Sequence, residues 1–307
     1  MAVIEASNLT KRYGDAVAID DLTLSVGRGE VFGFLGPNGA GKTTAVRILT
    51  GLLKPDSGTV LIGGMDIAKD PIKAKMKVGM LPETGNVYVD LTPKQNLSLT
   101  GKYYGLSKDT IRKRSDELLS ELGLYERSND LVKTFSKGMK QRVSIACAII
   151  HEPSILFLDE PTSGLDVQSR RLIIQIIADM NERGCTIFLT THDIEEANKL
   201  CNRVCMINKG KIVAMDTPEN LRYTFEDTRS LEVAFDKEIS RDLFNSKFIS
   251  RMDRQGNKWR FYTIDIDSTI RYIVTMVENK GIKINSMTTY GPSLEEVFVR
   301  LTGVIEK

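Results

Sequence analysis

Apolar residues in the first 220 positions fall into short continuous runs that alternate with stretches of helical spacing. Val31–Leu35 and residues 155–158 and 186–189 are such runs, and each predicts a buried strand. Between the last two runs, apolar residues recur on one helix face: Leu172, Ile173, Ile176, Ile177 and Met180. This alternation predicts an α/β fold with a mostly parallel sheet covered by helices.

Residues 93–150 have a different pattern, because helical spacing dominates there without intervening strands. Three leucines of this stretch, Leu118, Leu119 and Leu122, lie on one helix face. The sequence therefore predicts a helix-rich insert at about 84–150 within the order of the sheet.

A second unit begins near residue 228. Its predicted elements are a strand at 230–235, a helix at 237–245, a strand at 248–252, a turn at 255–257, a strand at 258–264, a helix at 268–279 and a strand at 283–290. This βαββαβ order is that of a ferredoxin-like α+β domain. A last helix is predicted to start at Ser293, which can form a capping box with Glu296. The predicted domains are 1–222 and 228–307.

Composition agrees with one large and one small globular domain. The chain has 307 residues, of which 41% are apolar and 27% charged. A net charge of only +2 argues against nucleic acid as the main partner. The longest apolar run, at 145–150, is far short of the roughly 18 residues of a membrane-spanning helix. Residues 3–5 are strand-like, so no signal peptide is expected.

The four cysteines, Cys147, Cys185, Cys201 and Cys205, form no paired framework. Cys201 and Cys205 could be imagined as metal ligands, but no histidine or second thiol pair accompanies them. Buried, unreactive thiols are expected, and these indicate a reducing compartment and a cytosolic protein.

A glycine-rich run with the pattern G-x-x-x-x-G-K-[ST] directly follows the first predicted buried strand. The run is Gly36-Pro37-Asn38-Gly39-Ala40-Gly41-Lys42-Thr43-Thr44. Its glycines allow successive backbone N–H groups to point at phosphate oxygens, and the helix that begins near Lys42 adds partial positive charge. Lys42 can reach the β- and γ-phosphates, and the Thr43 hydroxyl can ligate Mg²⁺. The sequence thus predicts a phosphate site.

Two carboxylates, Asp159 and Glu160, follow the predicted strand at 155–158. Ligands of open α/β sheets bind at the carboxyl ends of the strands. Asp159 is therefore placed to hold Mg²⁺, and Glu160 is placed to orient and polarise an attacking water.

Four further features follow the order known from one protein family. They are Tyr13 near the start, the helix start at 135–142, the run 163–166 and the pair Thr191-His192. Each is common by itself, but together with the phosphate loop and the acids they resemble an ATP-binding subunit of the ABC transporters. The resemblance covers about residues 1–220. It implies a P-loop NTPase fold with a RecA-like parallel core, an antiparallel β subdomain and the helical insert.

The resemblance also implies roles for individual residues. Tyr13 would stack on the adenine, and the loop would hold the phosphates through residues among Gly36, Asn38, Gly39, Ala40, Gly41, Lys42, Thr43 and Thr44. Ser136 and Gly138 would contact the γ-phosphate across a dimer, with Asp166 at the dimer seam. Glu160 would be the general base, and His192 would be a switch histidine at the γ-phosphate.

Three residues differ from the commonest family pattern, and two of them point to one subgroup of the family. Glu83 stands where the family usually has Gln, so it adds a charge and a candidate metal contact beside Asp159 and Thr43. Lys137 and Met139 replace the second Gly and the Gln of the commonest signature. This signature and the ending at 292–298 resemble subunits of ABC-2 type exporters.

The predicted partners are a second copy of the chain and an integral membrane permease subunit. Lys42 of one copy and Ser136 of the other would sandwich ATP, and the helical insert would transmit closure to the membrane subunit. The expected location is the cytoplasm, at the inner face of the cell membrane.

Two questions stay open at this point. A soluble ABC ATPase that acts on translation, DNA ends or cofactor assembly is an alternative to a transporter subunit. The C-terminal unit is either a ligand-sensing regulator or a dimer-stabilising appendage. His151, at a predicted helix end, is expected to be a solvated cap.

Overall fold

The computed structural model describes residues 1–223, 229–291 and 293–303. The chain divides into two compact units, Met1–Met215 and Asp216–Lys307, which we call unit 1 and unit 2. The predicted boundary between 222 and 228 falls partly on residues 224–228, which lie outside the described residues. The domain limits drawn from the sequence therefore stay a prediction.

One sheet of unit 1 is antiparallel. Its strands are β1 (Ala2–Tyr13), β2 (Ala16–Gly27), β4 (Ser57–Ile62) and β5 (Met65–Asp66), in the order β2-β1-β4-β5. Each neighbouring pair is antiparallel. Apolar side chains of β1, β2 and β4 are buried in the same core as α1 and part of the second sheet. The antiparallel β subdomain expected from the resemblance is thus present.

The second sheet of unit 1 is mostly parallel and has six strands. They are β3 (Val31–Leu35), β6 (Val78–Leu81), β7 (Ile155–Asp159), β8 (Thr186–Thr191), β9 (Arg203–Asn208) and β10 (Lys211–Asp216), in the order β10-β9-β3-β8-β7-β6. The pairs from β9 through β3, β8 and β7 to β6 are parallel. Because β3, β8 and β7 are neighbours, their carboxyl ends meet at one edge of the sheet.

The continuous apolar runs are buried strands because helices and the antiparallel sheet cover this sheet on its faces. Phe188 packs against three other aromatic rings, Phe32, Phe34 and Phe157, with centroids 5.3 to 5.5 Å away. All four rings are fully buried. The predicted strands at 31–35, 155–158 and 186–189 are confirmed.

The helices of unit 1 include those predicted near Lys42, within 93–150 and between the strands at 155–158 and 186–189. They are α1 (Lys42–Leu49), α2 (Pro71–Lys75), α3 (Pro93–Tyr103), α4 (Lys108–Glu121), α5 (Lys137–Ile149), α6 (Val167–Glu182) and α7 (Ile194–Leu200). Helices α3, α4 and α5 lie between β6 and β7 in the chain, as expected of an insert. Gly51, at φ +66°, takes the left-handed conformation that ends α1.

Unit 2 contains a four-stranded antiparallel sheet and three α-helices among its described residues. Its elements are α8 (Pro218–Tyr223), β11 (Ser230–Phe235), β12 (Ile249–Gln255), β13 (Lys258–Thr263), α9 (Ile266–Glu278), β14 (Ile284–Tyr290) and α10 (Leu294–Thr302). The order is β12-β13-β11-β14, with antiparallel neighbours throughout. This strand order agrees with the ferredoxin-like plan.

The prediction of a helix at 237–245 is wrong. Only one 3₁₀ turn, Arg241–Leu243, forms there. The Ser240 side chain accepts from the Asp242 backbone N–H at 3.5 Å, a local bond that competes with helix formation. Ile239 and Phe244 are instead both buried in the core, where the Phe244 ring lies 4.8 Å from that of Phe261. Their apolar character reflects this core, not a helix face.

The predicted start of the last helix, with its capping box, is confirmed. The Ser293 hydroxyl accepts from the Glu296 N–H at 3.1 Å, and the Glu296 carboxylate accepts from the Ser293 N–H at 3.0 Å. Leu294, Val297 and Phe298 of this helix are buried, and Leu301 is half-buried. Pro292, which opens the exporter-like ending, lies outside the described residues.

The four cysteines are buried as expected, whereas the expectation for His151 is wrong. All four cysteines are buried and unpaired, and burial raises the pKa of Cys147 to about 11 and that of Cys185 to about 12. His151 is not a solvated cap. Its ring stacks on Tyr104 with centroids 3.4 Å apart, and burial lowers its pKa to about 4. His151 is therefore a neutral packing residue at physiological pH.

Among the described residues, no helix combines the length and the apolar character that crossing a membrane requires.

Candidate active site

The glycine-rich loop joins β3 to α1 and curls tightly. Gly39 has φ +79° and Gly41 has φ +109°, values that side chains with a Cβ rarely adopt. A Cβ at Gly41 would also collide with the backbone carbonyl of Ala18 on β2. The loop is thus held against a neighbouring strand, with the N-terminus of α1 at its open side. Such a cradle suits an anionic ligand, because helix N–H groups point outward there.

Lys42, the first residue of α1, turns its side chain back over the loop. Its ammonium donates to the Gly36 carbonyl at 2.7 Å and lies 3.2 Å from Glu160 Oε1. The two side chains of this ion pair are only 6% and 7% exposed. A buried ammonium needs such acidic and carbonyl partners, because burial of an unpaired charge is strongly unfavourable.

The acid pair ends β7, and the two carboxylates point to different places. Asp159 is 1% exposed and accepts a hydrogen bond from Thr190 Oγ1 at 2.6 Å. Glu160 has φ +51°, and its backbone N–H donates to Thr190 Oγ1 at 3.0 Å and to the Thr190 carbonyl at 3.2 Å. This left-handed turn at the strand end separates the two side chains.

His192 follows β8 and contacts the second oxygen of Glu160. Its Nδ1 lies 2.7 Å from Glu160 Oε2, and its side chain is 49% exposed. Glu160 therefore has an ammonium on one side and an imidazole on the other. A carboxylate held in this way is oriented to accept a proton from a water molecule.

These groups share one cleft of about 540 Å³. It is lined by Tyr13, Ala18, Pro37, Asn38, Gly39, Gly41, Lys42, Thr43, Thr44, Glu83, Glu160, Ser163 and His192. The structure thus brings together candidates that are distant in sequence, from the end of β1 to the residue after β8.

Sequence reasoning did not select three of the lining residues: Ala18, Pro37 and Ser163. Pro37 and Ser163 could have been found, because each lies next to a selected motif. Ala18 carries no sequence signal. It lies at the cleft because β2 passes the glycine-rich loop.

Tyr13 is the last residue of β1, and 51% of its surface is exposed. The Lys11 ammonium lies 5.9 Å from the centre of its ring. An exposed aromatic ring at the rim of a phosphate cleft is suited to stack on a planar base.

Several candidates do not line the cleft. Ala40 and Asp159 are buried beneath it, at 3% and 1% exposure. A Cβ at Gly36 would lie 2.7 Å from the Ile207 carbonyl oxygen, so this glycine allows close packing on β9. Ser136, Gly138 and Asp166 lie elsewhere.

Those three residues and Ser169 form a second group, which we call the signature cluster. Ser136 caps α5 by accepting from the Met139 N–H at 3.3 Å. Asp166 caps α6 by accepting from the backbone N–H and the hydroxyl of Ser169, each at 2.8 Å, and these bonds lower its pKa. A Cβ at Gly138 would collide with Ser169. Ser136, at the helix start, is exposed, and the cluster shares no lining residue with the cleft.

The donor chemistry fits Mg²⁺. Thr43 and Glu83 line the cleft, and Asp159 lies directly behind it. No group of three or more His, Cys, Asp or Glu side chains in the described chain could hold a metal by itself. Mg²⁺ commonly keeps several waters and takes one or two protein oxygens plus phosphate oxygens, so a sparse set of hard oxygen donors suffices.

Comparison with known proteins gives one family and matches along the whole chain. The family described as ABC transporter matches residues 19–163. The linearmycin resistance ATP-binding protein LnrL of Bacillus subtilis (strain 168) is 34% identical over 306 residues, 98% of each chain. The Nod factor export ATP-binding protein I of Ralstonia nicotianae is 36% identical over 301 residues, covering 98% of this chain and 94% of that protein.

Solved structures match a smaller part of the chain. The structure of an ATP binding subunit of an ABC transporter is 33% identical, has a TM-score of 0.68, and covers 73% of this chain and 93% of its own. The dimeric post-hydrolysis structure of the ATP-binding cassette MJ0796 bound to ADP and Pi is 29% identical, with a TM-score of 0.65. It covers 70% of this chain and 98% of its own.

Proposed function

The chain belongs to the ABC transporter family of ATP-binding proteins, and from that premise we propose that it is the ATP-hydrolysing subunit of an exporter. Its proposed partner in the membrane is a separate permease subunit. The support for export is the similarity over nearly the full length to ATP-binding proteins of Nod factor export and linearmycin resistance. No observation favours a soluble ATPase that is uncoupled from transport.

The observation that carries the ATPase proposal is the position of Glu160. Its two carboxylate oxygens lie 3.2 Å from the Lys42 ammonium and 2.7 Å from His192 Nδ1, within the same cleft as the glycine-rich loop. Lys42 can then neutralise phosphate charge, while Glu160 accepts the proton of the attacking water. His192 orients Glu160 and is available to the terminal phosphate.

Residues that would bind the adenine base and the metal ion complete the proposed site. Tyr13 would stack on the adenine of ATP. Thr43, Asp159 and Glu83 would hold Mg²⁺, which neutralises phosphate charge when bound. The loop N–H groups, together with those at the start of α1, would bind the phosphate oxygens.

A second copy of the chain would supply the other wall of the site. The exposed start of α5 at Ser136 is a helix N-terminus that can donate to a phosphate, yet it does not line the cleft of its own chain. A two-fold axis would place the signature cluster of each copy over the glycine-rich loop of the other, so that two ATP molecules are bound. The similar cassette MJ0796 is dimeric.

We further propose that the protein is cytoplasmic and peripheral to the inner face of the cell membrane. The helical insert at about 84–150 would be the part that contacts the permease. It is joined to the nucleotide cleft directly through Glu83, so closure of the dimer would move it.

Glu160→Gln is the test of the ATPase proposal. The amide keeps the size of the side chain but removes the basic oxygen, so hydrolysis should fall roughly 100-fold or more while ATP still binds. Without hydrolysis, the variant should accumulate as a dimer with ATP and Mg²⁺ in size-exclusion chromatography with light scattering. Glu182→Gln, at an exposed position of α6, is the matched control.

Normal turnover by Glu160→Gln would remove Glu160 from the role of base. A variant that binds ATP but stays monomeric would remove the two-copy site.

A further inference from the structure

A second groove lies between α3 and α4, outside the nucleotide cleft. Its volume is about 200 Å³, and it shares no lining residue with the cleft. The lining residues are Lys94, Ser98, Lys102, Lys108, Ile111, Arg112, Ser115 and Asp116. Four of the eight are cationic, and one is acidic.

The groove follows from helical spacing on two helices that are adjacent in the chain. On α3, Lys94, Ser98 and Lys102 are four residues apart, so they share one face. On α4, Lys108 and Arg112 are also four residues apart. Residues 104–107 connect the helices tightly, so the two cationic faces meet across the groove.

Among the described residues, only one of the four cations has an acidic partner. Lys94 Nζ lies 3.1 Å from Asp116 Oδ1 and 5.2 Å from the centre of the Tyr125 ring. Within the described residues, Lys102, Lys108 and Arg112 form no ion pair. These three exposed cations line one groove without an ion pair of their own in the described part of the chain, so an anion bound there would gain favourable interactions with them.

Ser115 provides an independent observation at the same place. It is only 4% exposed, lines the groove, and its hydroxyl has no hydrogen-bond partner among the described residues. Hydroxyls inside helices usually donate to the carbonyl four residues before. Ser120 does so to Asp116 at 2.8 Å, and Thr100 does so to Asn96 at 3.0 Å. A buried hydroxyl without a partner needs an explanation, and a bound acceptor is one.

We propose that this groove binds a phosphate group. Lys102, Lys108, Arg112 and the Ser115 hydroxyl are four donor groups around a small volume. A carboxylate has two oxygens and one charge, whereas a phosphate group has more acceptor oxygens and can carry more charge. Arg112 can also bind two phosphate oxygens at once. The phosphate belongs either to a soluble molecule or to the head group of an anionic phospholipid.

The experiment uses the full chain saturated with a non-hydrolysable ATP analogue and Mg²⁺, so that every phosphate position of the nucleotide cleft is filled and does not compete for the probe. Inorganic phosphate is titrated and followed by ³¹P NMR. Co-sedimentation with phosphatidylglycerol vesicles is compared with co-sedimentation with phosphatidylcholine vesicles. Binding of inorganic phosphate supports a soluble ligand, and binding only to phosphatidylglycerol supports a lipid head group.

Two variants connect binding to the groove. Arg112→Gln should weaken binding roughly 10-fold, and Ser115→Ala should weaken it several-fold without any change of charge. Lys113→Gln is the matched control for charge, because Lys113 lies on the same helix, outside the groove, next to Glu117. Ser120→Ala is the control for the hydroxyl. Controls should change binding less than about twofold.

Three results would overturn the proposal. In the first, neither probe binds. In the second, Lys113→Gln weakens binding as much as Arg112→Gln, which indicates diffuse surface attraction. In the third, a poly-glutamate peptide binds to the groove more tightly than phosphate, which indicates an acidic protein segment instead. The groove variants should retain ATP hydrolysis, so these outcomes are separate from the fate of the ATPase proposal.

Discussion

The two units of the chain treat buried polar groups in different ways. Among the described residues, the buried charged side chains are Lys42, Asp159, Glu160 and Glu196, and all four lie in unit 1. The buried polar residues of unit 2 are Ser230, Thr263 and Thr269, which carry no charge.

Burial of charge opposes stability, so its restriction to unit 1 needs a reason. Three of the four charged residues are at or directly behind the nucleotide cleft, where charged groups can act on phosphates. In unit 2, the hydroxyls of Thr263 and Thr269 bond each other at 2.7 Å. Both units have apolar cores, but only unit 1 also buries charged groups, at the place where they can act on phosphates.

The largest effect should follow from removing the buried cation of the cleft. Lys42→Ala removes the ammonium that faces the phosphates, so ATP binding should be lost and hydrolysis should fall at least ~10³-fold, about 4 kcal/mol. Steady-state ATPase assays and nucleotide titration measure this. Lys258→Ala is the control in unit 2, where Lys258 pairs with Glu232 at 2.7 Å. Unchanged nucleotide affinity of Lys42→Ala would contradict the cradle assignment.

The next effect tests whether apolar packing holds unit 2. Phe261→Ala removes a fully buried ring and should destabilise unit 2 by about 3–5 kcal/mol. Trp259 is the single tryptophan of the chain and packs in the same core, so its fluorescence during urea unfolding reports on this unit. Nucleotide binding by unit 1 should persist below the transition. A parallel loss of nucleotide binding would show that the two units unfold together.

A matched pair of threonines tests the difference between charged and neutral partners. Thr190→Val removes the donor to buried Asp159, so it should cost about 2–3 kcal/mol, because a charged acceptor is left unsatisfied. Thr269→Val in unit 2 leaves no charged group unpaired, because Thr263 keeps its hydrogen bonds to the Asp265 backbone, and it should cost about 1 kcal/mol. Urea midpoints of both variants measure this. Equal losses would contradict the distinction drawn between the units.

The smallest effect depends on pH. Glu196 is buried, and desolvation raises its pKa, although Thr162 donates to it at 2.6 Å. The folded state therefore holds this proton more tightly than the unfolded state, and stability falls as pH rises through the raised pKa. Glu196→Gln removes the buried charge, so the variant should melt about 2 °C higher than the parent at pH 8.

That gain should vanish at acid pH, below the ordinary range for a glutamate, where Glu196 is protonated in both states. Glu195→Gln is the control, because the Glu195 side chain is 82% exposed. Thermal melts across the pH range measure both variants. A gain that is the same at all pH values would show that Glu196 is not the titrating group.

Much of unit 1 can be predicted from local sequence. The loop from Gly36 to Thr44 has its chemistry within nine consecutive residues, and the strand before it is identifiable by continuous apolar character. The caps at Ser136 and Ser293 are also local, since each side chain bonds a backbone N–H three residues later. Short-range features of this kind depend on few neighbours, so sequence reasoning succeeds there.

Predictions fail where distant residues decide the conformation. The sequence predicts a helix at 237–245, but Ile239 and Phe244 fill the core beside Trp259 and Phe261 without forming one. His151 lies at a helix end, yet its environment is set by Tyr104 and the Val78 carbonyl, 3.1 Å from its Nε2. Spacing alone identifies a buried side chain, without identifying the element that covers it.

The sequence by itself determined the phosphate loop, the acid pair at a strand end, the major elements of both units and the family to which the chain is similar. Only the tertiary structure decided that Thr190 donates a hydrogen bond to Asp159 and that the Ala18 carbonyl lies against Gly41. It also decided that the Glu160 carboxylate contacts both Lys42 and His192. The physical reason is strand order. Pairing between β7 and β8 brings together residues about thirty positions apart, and periodicity within one segment contains no information about that pairing.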